Sequence, residues 1–246
     1  VTLTGGGAPL AFLIAGVVAL VTSFSYARLS VSYPSQGGTV AFLDQAFGPG
    51  LMTGTANILL WISYIVMLSI YSYAFGSYGA SFFPSDSQPF WKHVLITASV
   101  LGITGLNLFN ARLIGEAEDW IVLLKLLILS VFIGVGIWGI DTGKLAPATW
   151  SSPLHLIAGG MIIFLAYEGF ELIANTAKDV RDAPRTLPRA FYSCVGFVIL
   201  LYVLVAIVTV GSLPVDKIVD AQDYALAEAA RPSLGQTGFV LIAIAA

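Results

Sequence analysis

Long stretches without a single charge decide what this chain can become. No Asp, Glu, Lys or Arg occurs between Ala46 and Ser85. A hydrocarbon core about 30 Å thick is crossed by roughly 20 apolar residues of helix, and a charge left facing lipid costs several kcal/mol. The first charge-poor window runs from Ala8 to Leu29, with Arg28 only at its end, and the long uncharged run holds a second from Leu51 to Ala74. Further windows cover Trp91–Phe109, Trp120–Ile140, Pro153–Lys178 and Phe191–Leu213, and an incomplete one runs from Gly235 to Ala246. Six whole spans and part of a seventh are therefore expected. The first is too long for a signal peptide, and the spans after it argue against cleavage.

Composition closes off the alternatives. Charged residues make up 10 % of the 246 positions and hydrophobic ones 57 %, with a mean hydropathy of +0.88. An ordinary soluble domain carries about 25 % charged residues. A net charge of −3 gives no hold on nucleic acid. One cysteine, Cys194, and two distant histidines, His93 and His155, supply neither a disulfide frame nor metal-ligand spacing, so no metal and no cofactor are expected. Membrane strands would alternate apolar and polar positions, whereas 131–138 and 197–208 are apolar on every side, which reads as helix. The expected fold class is all-α and membrane-spanning, a single transmembrane domain over residues 1–246 in a multi-pass cell-membrane protein. Short Pro/Ser/Gly-rich turns fill 83–90 and 143–152, and a longer amphipathic connection fills 216–231. The chain opens on Val1 and stops within an apolar run, so it is expected to be a piece of a longer protein.

Basic residues set orientation. With the start of the chain outside, the inner connections carry Arg28, Arg112, Lys178, Arg181, Arg185 and Arg189, and the outer ones Lys92, Lys144, Lys217 and Arg231. The bias rests on the cluster from Lys178 to Arg189, and the start of the chain is taken as extracellular.

Three ionisable groups fall inside spans: Lys125, Glu168 and Glu171. Facing lipid at mid-depth each would cost about 2.5–3.5 kcal/mol. Together that approaches roughly 8–10 kcal/mol, as much as a whole domain's stability. They are expected to face protein or a water-filled cavity. Glu168 and Glu171 flank Gly169, and a glycine at membrane depth permits unwinding. A broken helix would free the carbonyls of Leu165, Ala166 and Glu168 to hold a cation, as interrupted helices do in secondary transporters. The bland alternative is that Glu171 caps a half-helix and Gly169 is a packing contact. Lys125 stands five residues past Trp120, about 7–8 Å deeper along a helix. It either snorkels to the headgroups or, buried, is an amine suited to proton transfer. Aromatics on the second span, such as Tyr64 and Tyr71, read as packing or interface belts.

At this point the residues resemble a known family. Tyr26-Ala27-Arg28-Leu29-Ser30, with Tyr33-Pro34 and Gly37-Gly38, is similar to the pattern that closes the second helix of amino acid permeases, in the amino acid–polyamine–organocation superfamily. The run from Phe164 to Glu171, with Ala183-Pro184-Arg185-Thr186-Leu187-Pro188-Arg189-Ala190, resembles that family's broken sixth helix and the loop after it. Gly105-Leu106-Asn107 and Lys125-Leu126-Leu127 resemble its fourth and fifth helices. The resemblance covers nearly the whole chain. It implies a truncated leucine-transporter-like inverted-repeat bundle, with helices two to seven, the start of eight, and one discontinuous helix. It also implies substrate contacts at Leu165, Ala166, Tyr167, Glu168 and Gly169, with Leu165 near a gate, and proton coupling through Lys125 and Glu171. Two positions depart from the family: Arg28 stands where Glu is common, and Glu168 where an uncharged residue is usual.

The function so implied is secondary active transport of amino acids by alternating access, as proton symport or exchange, and not enzyme catalysis. Its partners would be a small amino acid or amine, protons and the bilayer. Glu168 keeps open a polyamine or other organocation carrier. A sensory or photoactive protein with Lys125 as Schiff-base anchor is the rival of a different class. It is disfavoured because Lys125 lies near one end of its span.

Overall fold

The computed structural model describes residues 1–109 and 111–245. Asn110, Ala246 at the end of the seventh expected span, and the side chain of Arg112 lie outside the described residues. Helix dominates, and the one β pairing among the described residues is an isolated antiparallel bridge between Gly5 and Trp150.

The α-helices are α1 (Ala8–Ser32), α2 (Gly38–Phe47), α3 (Leu51–Ala80), α4 (Gln88–Phe109), α5 (Ala111–Gly136), α6 (Pro153–Ile163), α7 (Ala183–Ser212), α8 (Val215–Ala221) and α9 (Ala225–Ala245). Segments long and apolar enough to cross a membrane are Ala8–Ser32, Leu51–Ala80, Glu118–Gly139, Pro153–Thr176 and Ala183–Ser212. The chain is thus a multi-pass membrane protein. The expected span 91–109 lies on α4, which is 22 residues long. It lies outside that set. The connection over 216–231 is helical, formed by α8, a 3₁₀ turn at Gln222–Tyr224 and the start of α9.

Two compact units divide the chain: Val1–Ser63 with Ala146–Ile207, and Tyr64–Leu145 with Val208–Ala246. In the first, α1 starts with Pro9 in its opening turn, where a missing N–H costs nothing. It ends at Tyr33, as the following Pro34 disfavours helix for the residue before it. Along one edge it buries Ala8, Ala11, Ala15, Ala19, Ser23, Ala27 and Ser30. These recur every three or four residues, and the seam packs on α6 and the segment following it. Small residues let helix backbones approach closely in a membrane, where the hydrophobic effect gives no drive to pack. On α6 the answering positions are Gly159 and Gly160, and a Cβ on Gly160 would lie 3.2 Å from the Ala11 carbonyl oxygen. Above this seam the Gly6 amide donates to Thr149 O at 3.1 Å, and the Ser151 amide to Thr4 O at 3.3 Å.

The second unit is centred on α5 against α9, with Phe132, Val208 and Ile242 fully buried. Its outer strap, α8 to the 3₁₀ turn, is fastened at Asp223. The Asp223 carboxylate accepts hydrogen bonds from Lys92 Nζ at 2.9 Å and Ser77 Oγ at 3.0 Å. The Lys92 ammonium also lies 3.6 Å above the Tyr73 ring, a cation–π contact. Burial alone would raise the Asp223 pKa, but the hydrogen bonds from Lys92 and Ser77 and the Lys92 charge outweigh it and hold it below its ordinary value. A carboxyl depressed in the folded state stabilises above its unfolded pKa and loses that contribution as pH falls through the folded one. Amide-exchange protection of 215–224 is therefore expected to stay constant from pH 7 to 5. It should drop severalfold below about pH 4, the ordinary aspartate value. Asp223→Asn should remove the pH step.

Candidate functional site

Helix α6 does not continue to the end of its span. After Ile163 it tightens into a 3₁₀ turn, Phe164–Tyr167, then breaks at Glu168 and Gly169 and resumes as a 3₁₀ helix, Phe170–Thr176. Glu168 is extended (φ −59°, ψ 145°) and Gly169 has φ +116°, a region open to glycine and strained for other residues. No atom stands within 4 Å of where a Gly169 Cβ would be. Backbone geometry, and not crowding, therefore requires glycine here.

The hydrogen bonds account for the break. The Glu168 amide reaches Leu165 O at 3.3 Å, and the Leu172 amide Gly169 O at 3.1 Å. The Gly169 amide leaves the ladder and donates to Glu171 Oε2 at 2.8 Å. The Glu171 carboxylate thus satisfies, two residues back, an N–H orphaned at a helix start. Among the described residues, none of the backbone bonds of this turn ends on the carbonyl of Ala166 or Glu168. Those two oxygens and the half-buried Glu168 carboxylate lie within three successive residues of the break. The Leu165 carbonyl is engaged, and the Leu165 side chain is exposed.

On the α7 side the break borders a cavity of about 230 Å³, lined by Glu168, Gly169, Ile173, Cys194, Val198 and Tyr202 among others. Ligand pockets usually hold roughly 300–1,000 Å³, so this one has room for one end of a solute. Tyr167 is turned into the protein, 4 % exposed. Its hydroxyl donates to the Phe12 carbonyl at 3.0 Å, and its ring meets that of Tyr202 at 5.2 Å. That hydroxyl anchors the last turn before the break to α1, which leaves only the Tyr167 backbone for a solute.

Five expected contacts, Leu165 to Gly169, and Glu171 therefore meet within one turn and its cap. Lys125 belongs to the other compact unit and is exposed on α5, beside exposed Leu124 and Leu127. Tyr202 and Cys194 escaped the reading of the sequence, since neither stands out from the apolar run of α7. The one available signal was their spacing of eight residues, which puts them near one helix face. Among the described residues no group of three His, Cys, Asp or Glu side chains is placed to hold a metal.

A family model described as amino acid permease matches residues 1–246. Among curated proteins, MJ0609 of Methanocaldococcus jannaschii is 35 % identical over 245 residues, covering 99 % of this chain and 56 % of the relative. The inner membrane transport protein YbaT of Escherichia coli K12 is 32 % identical over 240 residues, 96 % of this chain and 55 % of its own length. The low-affinity putrescine importer PlaP of the same organism is 28 % identical over 205 residues, 77 % of this chain and 43 % of its own. The chain spans about half the length of the curated relatives it matches.

Proposed function

We propose that this chain, which belongs to the amino acid permease family, carries the broken-helix part of a secondary transporter that moves amino acids across the cell membrane by alternating access. The observation that carries the reading is the turn at Gly169. It leaves the Ala166 and Glu168 carbonyl oxygens outside the helical ladder, in a turn that borders a cavity with room for one end of a solute. Such oxygens suit an ammonium group, because each partial negative charge points where water would otherwise sit.

Coupling to protons is assigned to Glu171 and Lys125. Glu171 stands at the turn itself, where its Oε2 accepts the Gly169 amide at 2.8 Å. Lys125 on α5 stands five residues past Trp120, at which its expected span begins. The test is initial-rate uptake into proteoliposomes by the complete protein, with an imposed pH gradient. Lys125→Ala is expected to abolish gradient-driven accumulation while counterflow at equal pH continues. Accumulation that survives this substitution would remove Lys125 from coupling.

Glu168 favours a second substrate class. Glu168 is among the residues that line the cavity, its carboxylate would suit a diamine or a cationic amino acid, and one relative is described as a putrescine importer. Competition by putrescine and lysine against leucine and threonine separates the two classes. Glu168→Gln should weaken the cations at least tenfold and spare the neutral amino acids, the size expected when a charged partner is lost from a desolvated site.

A further inference from the structure

We propose that α2, the short helix between α1 and α3, and the segment after the break move as one body, so that α2 carries the motion of the Gly169 turn to the membrane surface. The inference rests on the alternating-access reading above and adds to it which pieces travel together. Three kinds of contact join them. The first is steric. Gly38 opens α2 with φ +46°, and the place of its missing Cβ is filled by the Asn175 side-chain oxygen. The Asn175 side chain therefore packs directly on the Gly38 backbone. The second is aromatic. The Tyr26 ring meets Phe42 of α2 at 6.1 Å edge-on, Phe170 at 5.9 Å edge-on and Phe191 at 6.4 Å. Phe42, Phe170 and Phe191 are all buried and belong to one core cluster with Ala27 and Ala174. The third is polar. Tyr26 Oη and Thr39 Oγ1 lie 2.9 Å apart, and Gln36 Nε2 donates to Asp179 Oδ2 at 3.1 Å.

A gate that parts in every cycle would have to expose this aromatic set and reopen the glycine contact each time. Edge-to-face aromatic pairs in a buried cluster are stabilising beyond their area, and close-packed interfaces switch as units because they do not stretch. The body ends just past α2, at Gly48 (φ +69°). There the Thr53 hydroxyl donates to Gly48 O at 2.7 Å and fixes the turn into α3.

The experiment uses the complete protein in a Cys194→Ser background with Gln36→Cys and Asp179→Cys. Both positions are exposed and label readily. Spin-label distances are measured in proteoliposomes at pH 5 and pH 8, with and without threonine, lysine or putrescine. A single narrow distance, the same in every condition, is expected. Two populations, or a peak that moves, would overturn the one-body inference whatever the uptake does. Where the first pair spoils insertion, Asp44→Cys with Thr176→Cys reads the same coupling. In the uptake arm, a short bifunctional thiol linker across the first pair should leave more than half of the rate seen with the matching monofunctional reagent. A tenfold loss specific to the linker would identify α2 as a parting gate and overturn the inference while leaving the transport reading intact. Absence of uptake in the Cys194→Ser parent and in the native protein alike counts against the transport reading alone, because the distances are read independently.

Discussion

Replacing Gly169 by alanine in the complete protein is expected to cut amino acid uptake at least tenfold while leaving the protein folded in the membrane. At φ +116° a side-chain-bearing residue is strained by about 1–3 kcal/mol, and 1.4 kcal/mol is already a factor of ten. The space around the missing Cβ is empty, so the methyl group clashes with nothing and the whole penalty falls on the backbone turn. The chain has an escape. It can relax Gly169 toward helical angles, which would return its amide to the ladder and engage the carbonyls that the break leaves free. Function is then lost more readily than fold. The control is Gly134→Ala on α5, where the surroundings are equally open and the backbone is helical. Alanine there should be neutral or slightly stabilising. Uptake rates per amount of inserted protein, with melting temperatures alongside, decide the matter. Equal uptake by Gly169→Ala and the native protein would mean that the broken turn is not where the solute is held.

The second large effect concerns Glu171. Its side chain accepts the Gly169 amide at 2.8 Å, a bond from a backbone donor to a charged acceptor, worth about 1.5–3 kcal/mol where solvent is excluded. Glu171→Ala orphans that amide and should reduce uptake tenfold or more. Glu171→Gln keeps an oxygen in the same place and should preserve the turn, with uptake down severalfold at most. If Glu171 also exchanges the coupling proton, the glutamine variant loses its response to a pH gradient even while it transports downhill. A structural cap predicts that Ala and Gln differ in rate but both keep the gradient response. Two variants therefore separate holding the turn from moving the proton, which a single substitution would confuse.

Much of this was legible before the coordinates. Charge-free runs located the helices because lipid tolerates so few exceptions, and two carboxylates around a glycine at membrane depth located the break. The helix α4 was harder to place. Its polar residues stand at both ends, Gln88, Lys92 and His93 at the start and Asn107 near the close. The partners of the break were not legible. That Tyr167 faces Phe12, or that Asn175 fills the place of a Gly38 side chain, depends on pairs separated by more than a hundred residues. Local sequence is silent about such pairs. The Gly37-Gly38 pair was noticed only as part of a resemblance, and its physical reason appears once α2 lies against 170–176. The role of Glu171 was left open between cap and proton carrier. The observed bond establishes the first and leaves the second to the variants above.

The alanine edge of α1 has a consequence for how this protein can change shape. Methyl groups and hydroxyls of nearly one size line up on α6, and the next residues round the helix are bulky: Phe12, Val17, Val18 and Phe24. A slide by one residue would bring Phe12 to the place of Ala11, whose carbonyl oxygen lies 3.2 Å from where a Gly160 Cβ would be. Shear between these two helices is thus blocked like a rack with a single notch. Motion that keeps this contact carries α1 and α6 together as a pair.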